Sequence, residues 1–440
     1  MNSREEIVIY WFRRDLRTDD NRGLRHALES GFPVLPLFIF DVNILSKLEQ
    51  DDARVSFICR LITGLHAKLR NNGSGLLTMY GDPETIFRDL TSRYRIKAVY
   101  ANTDYESYAI ARDKKTGNTL QAAGSVLKLF SDQLVMEPGS VLKSDGKPYT
   151  VFTPFLKKWT ELFSAGMIAA EDSAGKTAGL LMTDTFSDPP SPESLGFRSP
   201  GMLVRDFDIG SERIAAYGKH RDYPALNGGT GLGPHLRFGT ISIREVFRRT
   251  YGISRIFTSE LVWREFFMHI LHFFPHVETR SFRPGYDNIE WINNEEHFNL
   301  WCTGLTGYPL VDAGMRELAL TGCMHNRVRM VAAGFLVKHL LCDWRWGEAW
   351  FASKLVDYEL SSNNGNWQWS AGTGCDAAPY FRVFNPVTQQ LKFDAHELYI
   401  RKWIPEFGTG AYPEPIVTHH EARILAIARY RKALHPQVNL

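Results

Sequence analysis

The stretch "LLTMYGDPETIFRDLTSRYRIKAVYANTD", residues 76–104, decides the fold class. It opens with a short apolar run that predicts a strand. Asp82 then supplies a helix N-cap and Pro83 a first helical residue whose fixed φ suits that place, so a helix is predicted to follow. The closing "IKAVYANTD" predicts a second strand. Working outward, the same alternation recurs. "IVIYWF" (residues 7–12) predicts a strand, 21–30 a helix, "PVLPLFIFD" a strand, and 57–69 a helix stopped by "NNGSG". Beyond the quoted stretch, 105–123 predicts a helix and "SVLKLFSDQLV" a strand. Strand and helix in strict alternation give a parallel, doubly wound sheet with helices on both faces. This α/β N-terminal domain is assigned to residues 1–135. The turn after the first strand reads "RRDLRTDDN" and lacks the GxGxxG of a dinucleotide site, which argues against NAD binding there.

Residues 136–204 change character. "EPGSVLKSDGKPYT" and "SDPPSPESLGFRSPG" are rich in Gly, Pro and Ser and predict an interdomain linker. From 205 to 440 the apolar spacing is three and four, as in "TSELVWREFFMHILHFF" and "HNRVRMVAAGFLVKHLLCDW", which predicts an all-α C-terminal domain. Gly322 falls where a helix C-cap is expected. A chain of 440 residues is long enough for such a division. Nine of the 11 tryptophans lie within residues 263–403, which suits either a large helical core or a site for a flat aromatic ligand.

Lys and Arg number 51 against 49 Asp and Glu, so total charge does not mark a nucleic-acid binder, although a local basic patch stays open. Cys59, Cys302, Cys323, Cys342 and Cys375 are scattered without CxxC spacing, so neither a disulfide framework nor a metal site is expected. No apolar run approaches a membrane span, and the N-terminus does not resemble a signal peptide. A cytoplasmic protein with no membrane partner is expected.

Several motifs could carry chemistry. "GGTGLGPHLRFG" (228–239) could open a helix and cradle a pyrophosphate, or be a flexible loop. "ELVWREFF" puts Glu260, Trp263 and Arg264 on neighbouring helical positions, either a base-binding group or a surface ion pair beside a core ring. "MHNRVRM" offers Asn326, Arg327, Arg329 and Met330, of which Arg329 could pair with Asp357 or Glu359 in "LVDYEL". "SSNNGNWQWSAGTG" (361–374) sets Trp367 and Trp369 among Asn and Gly, a mixture that neither a core nor a plain loop explains.

Taken with "WFRRDLRTDDN", "DYELSSNNGNWQWSAGTGCDAAPYFRVFNPVTQ" and "KFDAHELYIRKWIPE", these motifs make nearly the whole chain resemble the photolyase/cryptochrome flavoproteins. The resemblance is closest to the class I photolyases that repair cyclobutane pyrimidine dimers in DNA. It implies a chromophore-binding lyase that uses blue light for DNA repair, with an α/β antenna domain and a helical domain holding FAD. Tyr217, Thr230, Gly231, Leu232 and Gly233 would hold the FAD phosphates. Arg264, Arg329, Asp357 and Glu359 would line the flavin, and Asn363 would face its N5. In that family the damaged pair is flipped out of the duplex, a route open to photolyases generally. Glu260 would bond a pyrimidine, Trp263 and Trp369 would contact the rings, and Asn326 and Met330 would complete the pocket. Arg221, Arg327, Arg382 and Gln389 would contact the damaged DNA. Excited reduced FAD would lend the dimer one electron and recover it. Trp367, Trp344 and Trp291 would relay electrons to an oxidised flavin.

Two departures from the family pattern stand out. The phosphate loop reads Gly229-Thr230 where relatives often have Thr-Ser, and Gly233 where they have a further serine. The helix after the fourth strand carries Tyr108-Ala109 where folate-binding relatives have Asn-Glu, which speaks against methenyltetrahydrofolate and leaves the antenna chromophore unknown. A cryptochrome-type photoreceptor and a (6-4) photolyase are the alternatives, and a monomer acting on UV-damaged DNA is expected.

Overall fold

The computed structural model describes residues 6–182, 186–199 and 201–435; parts of the 136–204 stretch, at 183–185 and 200, lie outside them. The chain forms two compact units. One comprises Met1–Ser140, Leu162–Phe207 and Gly231–Arg249; the other comprises Val141–Glu161, Asp208–Thr230 and Thr250–Leu440.

The first unit is built on a five-stranded sheet: β1 (Glu6–Phe12), β2 (Val34–Asp41), β3 (Leu77–Gly81), β4 (Arg95–Asn102) and β5 (Val126–Phe130), in the order β3-β2-β1-β4-β5. All four pairings are parallel, with Tyr10 beside Pro36 on one side and Tyr100 on the other. β1 and β2 are buried along nearly their whole length, as their unbroken apolar runs require of strands covered on both faces. The helix Pro83–Arg93 starts as the sequence predicts: Asp82 accepts from the Thr85 amide and Pro83 opens the first turn. The last strand is shorter than "SVLKLFSDQLV" suggests. It ends at Phe130 because Asp132 turns inward to ion-pair with Arg17 and Arg244. Arg244 is 1% exposed and also reaches Asp20 at 2.9 Å. Burial raises the Asp132 carboxyl, but the two arginines outweigh it and hold the group down at about 2.

The second unit is helical. Its core is formed by Pro309–Thr321, Asn326–Lys338, Trp344–Lys354 and Leu360–Ala371, around Trp301, Phe335, Trp344, Phe351 and Trp367. Gly322 caps Pro309–Thr321 with φ 63°, as expected for a left-handed C-cap. Residues 136–204 are not structureless. The helix Phe152–Leu162 begins there and buries Phe152, Phe155 and Trp159. The Trp159 indole donates to Glu265 Oε2 at 2.6 Å, deep in the helical unit.

Candidate functional site

The stretch 361–374 is mostly helix, Leu360–Ala371, despite its Ser, Asn and Gly content. Three things offset the poor propensity. Glu359 caps the start: its carboxylate accepts from the Ser361 amide (3.1 Å), the Ser361 hydroxyl (2.6 Å) and the Ser362 amide (2.9 Å). Asn364 and Gln368, one turn apart, both donate to the Val277 carbonyl, at 2.8 and 3.0 Å, and Gln368 Oε1 accepts from the Phe282 amide at 2.8 Å. At the far end, Lys338 Nζ and the Tyr430 hydroxyl both donate to the Ala371 carbonyl at 2.8 Å. The polar residues that suggest a turn are therefore spent on tertiary contacts. The glycine at 365 has a packing role, since a Cβ there would lie 2.8 Å from Phe267 Cγ and closer still to other ring atoms.

Asn363 and Trp367 sit one turn apart on this helix and face Trp344–Lys354. The Asn363 amide nitrogen donates to Glu348, at 3.1 Å to the backbone oxygen and 2.8 Å to Oε1. Burial pushes the Glu348 carboxyl up, and nearby Glu278 adds to the shift. The Trp367 ring lies over Gly347, where a Cβ would sit 2.6 Å from Leu336 Cδ2 and inside the contact distance of the indole. Its ring contacts run to Phe351 at 4.9 Å and Trp301 at 6.1 Å. Trp344 is buried in the same cluster, with the Arg345 guanidinium 4.9 Å from its ring centre. Trp291 packs on the outside of that cluster, edge-on to Tyr430 at 5.9 Å.

Two sets of the other candidates are in contact, and the rest meet different partners. Arg329 donates to the Met324 carbonyl at 2.8 Å and ion-pairs with Asp357 at 3.0 Å. Arg221 ion-pairs with Glu260 and lies 5.5 Å over the Tyr217 ring, which itself meets Phe257 edge-on at 5.1 Å. Burial and the Glu260 carboxylate push the Tyr217 hydroxyl up to about 12. Trp263 stacks on Phe152 at 3.7 Å, and Arg264 follows it on the helix Arg255–Phe273. Arg327 bonds Asp222 at 2.7 Å and covers the Phe393 ring at 4.2 Å. Asn326 is exposed at the first position of its helix; Met330, Trp369 and Gln389 are half-buried and Arg382 is exposed. Among the described residues, no hydrogen bond or ring contact joins these five to the other candidates.

The glycine-rich loop divides between the units. Thr230, in the helical unit, accepts at its carbonyl from the Asp208 amide at 2.8 Å. Gly231, in the sheet unit, has φ 68° and lies where a Cβ would be 3.1 Å from the Asp206 carbonyl oxygen. Leu232 is buried and Gly233 exposed at the start of the short helix Leu232–Arg237. In the sheet unit Tyr108 donates its hydroxyl to Asp41 at 2.6 Å, with Arg112 over its ring at 5.9 Å.

Sequence reasoning missed Glu348, Asn364 and Gln368. The two amides stand in the stretch already singled out, one helical turn apart. Nothing in "WRWGEAWF" points to the partner of Glu348, which lies on the next helix.

Comparison with known proteins identifies the family. Residues 8–174 match the DNA photolyase family and residues 257–410 the FAD binding domain of DNA photolyase. A Synechococcus protein named deoxyribodipyrimidine photo-lyase is 36% identical, over 94% of each chain. The crystal structure of a bacterial class III photolyase from Agrobacterium tumefaciens superposes with TM-score 0.87 at 35% identity, covering 98% of both chains. An archaeal photolyase from Sulfolobus tokodaii, with two FAD molecules, superposes with TM-score 0.84 at 35% identity, covering 97% of this chain and 100% of that one. FAD is accordingly the cofactor of the helical domain. By full-length similarity in sequence and in structure, the chain belongs to the DNA photolyase family.

Proposed function

We propose that the protein repairs cyclobutane pyrimidine dimers in UV-damaged DNA under blue or near-ultraviolet light. The observation that carries this reading is the end-to-end match to a relative named for that activity, across both domains. The residues present fit FAD. A half-buried guanidinium–carboxylate pair, Arg329 with Asp357, and a carboxamide, Asn363, are the donor and acceptor types that the polar edge of an isoalloxazine needs. Tyr217, Thr230, Gly231, Leu232 and Gly233 hold its phosphates, and Arg264 and Glu359 complete the lining, Glu359 through the helix start that it caps. Bound, fully reduced and excited, FAD supplies the electron that opens the cyclobutane ring, with no net redox change.

The protein's own residues bind and orient. Glu260 accepts from a pyrimidine of the flipped pair, so lesion binding exchanges its present bond to Arg221 for one to the base. Arg221 is then free for a phosphate. Trp263 and Trp369 contact the rings, each stacked base contributing about 1–3 kcal/mol. Asn326 and Met330 close the pocket. Arg327, Arg382 and Gln389 hold the strand. The exposed Phe381 beside Arg382 offers an apolar edge where the duplex opens. Trp291, Trp344 and Trp367 pass electrons inward when the cofactor is oxidised. The proposed division is 1–135 antenna, 136–204 linker and 205–440 FAD- and DNA-binding part of a cytoplasmic monomer; the compact units cut across it, with 141–161 in the helical unit and 162–207 and 231–249 in the sheet unit. Among the described residues no helix is long and apolar enough to cross a membrane.

The test uses reduced protein with oligonucleotides carrying either a cyclobutane dimer or a (6-4) photoproduct, in light and in darkness. Light-dependent restoration of the cyclobutane dimer is expected. Equal products in light and darkness refute an enzyme, and repair of the (6-4) lesion alone assigns the other photolyase class.

A further inference from the structure

The helix Phe152–Leu162 rises from the stretch that the sequence marks as a linker, and it brings a ring to Trp263. Phe152, Phe155 and Trp159 are spaced three and four apart and so share one face. That face is seated on the helix Arg255–Phe273: the Trp159 indole bonds Glu265, and Phe155 meets Phe266 at 5.1 Å. Phe152, at the first helical position, stacks on Trp263 with ring centres 3.7 Å apart and planes 10° from parallel. Phe266 meets both rings edge-on, Trp263 at 5.5 Å and Phe152 at 5.7 Å. The Phe152 amide donates to Asp376 Oδ2 at 3.0 Å, which ties the start of the helix to the segment that leads to Arg382. Phe152 is 6% exposed, whereas Trp263 is half-buried. The indole face against Phe152 is closed, so a base meets Trp263 from its other side.

We propose that Phe152 is a positioning residue for lesion recognition: it backs the Trp263 indole and fixes the plane on which the flipped pyrimidine pair rests. An indole without that backing would turn about its side-chain torsions and would have to be ordered as the lesion enters. With Phe152 in place the ordering is done before DNA arrives. An undamaged duplex sets no base on Trp263, so Phe152 acts on the preference for damaged DNA and not on the grip of the strand. The inference rests on the lesion contact proposed for Trp263.

The test measures binding of flavin-loaded protein, in darkness, to duplexes of one sequence with and without a cyclobutane dimer. Phe152→Leu keeps an apolar side chain but removes the flat face. It should weaken binding to the dimer duplex about two- to tenfold, the cost of ordering one freed side chain, and leave binding to the undamaged duplex unchanged. Trp263→Ala should weaken dimer binding as well. Phe152→Leu added to Trp263→Ala should then weaken it little further, because both act through one contact. Wild-type dimer binding by Phe152→Leu, with weakened binding by Trp263→Ala, overturns the positioning role and leaves the lesion contact of Trp263 standing. An equal loss on both duplexes, or a full further loss in the double variant, also overturns it. Wild-type dimer binding by Trp263→Ala overturns both. A wild type that binds the two duplexes alike refutes the repair reading itself. If Phe152→Leu does not fold, Phe152→Met, which fills much of the volume without a flat face, decides in its place.

Discussion

Replacing Gly347 by alanine tests the packing that brings Trp367 against the neighbouring helix. The added Cβ would lie 2.6 Å from Leu336 Cδ2 and closer than that to two Trp367 ring carbons. The indole is rigid and hemmed in by Phe351 and Trp301, so it has little room to yield. Overpacking of this kind costs about 1–3 kcal/mol, and the rigid neighbour points to the upper end. Alanine in a helix interior gains up to about 1 kcal/mol over glycine. The net loss is therefore about 2 kcal/mol. For a unit of this size that lowers Tm by about 4–8 °C. Gly334→Ala is the matched control. It also lies inside a core helix, but its Cβ would meet only Phe384, at 3.8 Å, an ordinary contact. Only the helix gain remains there, and a rise of about 2–4 °C is expected. Thermal melts by circular dichroism, with urea midpoints at unchanged m, measure both. Gly347→Ala melting with or above the wild type refutes the wedged position of Trp367. So does an equal fall in both variants, which would make glycine itself the cause.

Three further outcomes are expected. Trp367→Phe should slow photoreduction of oxidised FAD, followed by absorbance, while sparing repair by protein reduced beforehand; loss of repair in the pre-reduced variant would contradict the relay role. Arg327→Ala should weaken binding to dimer-containing DNA uniformly across sequences and lower the slope of log affinity against log salt by about 1; an unchanged slope removes the phosphate contact. Acid should destabilise the helical unit through histidines that burial keeps neutral. Burial lowers His269 to about 4, with His272 adding to the shift, and lowers His325 to about 4. The unfolded chain takes up these protons near 6.5 and the folded one only near 4, so this stability is complete above 6.5 and drains as pH falls toward 4. Each unit of depression is worth about 1.4 kcal/mol. Asp312 and Glu348, pushed up by burial, pull the other way in acid, so the clean measure is a difference. The urea midpoint of His269→Phe should fall less between pH 6.5 and 4.5 than that of the wild type, and parallel curves would refute the assignment.

The sheet was legible because each strand is a short apolar run punctuated by capped helices, and local chemistry sets both. Asp82 with Pro83, and Gly322, mark helix ends by rules that need no tertiary partner. The end of β5 was not legible, since it depends on arginines far away in sequence that draw Asp132 inward. The helix Leu360–Ala371 was hidden for a similar reason. Its own residues favour turns, and the contacts that override them come from Val277, Phe282, Lys338 and Tyr430. Motifs pointed to Asn363 and Trp367 as residue types, but not to the helix that orients them. Glu348 and Gly347 are ordinary letters in the chain until the neighbouring helix is in place.

The two units are interleaved along the chain, and this orders events on the ribosome. Asp20 and Asp132 are translated about 110 residues or more ahead of Arg244, the buried cation that bridges them. At about 5–20 residues per second, the nascent α/β layer waits roughly 5–20 s for its missing counter-charge. During that pause the Arg17 guanidinium and the Arg22 amide face the carboxylate of Asp132 without Arg244. A chain stalled near residue 200 would carry acidic groups fit for burial without the partner that permits it. Such a chain should be a client of holding chaperones rather than a finished domain.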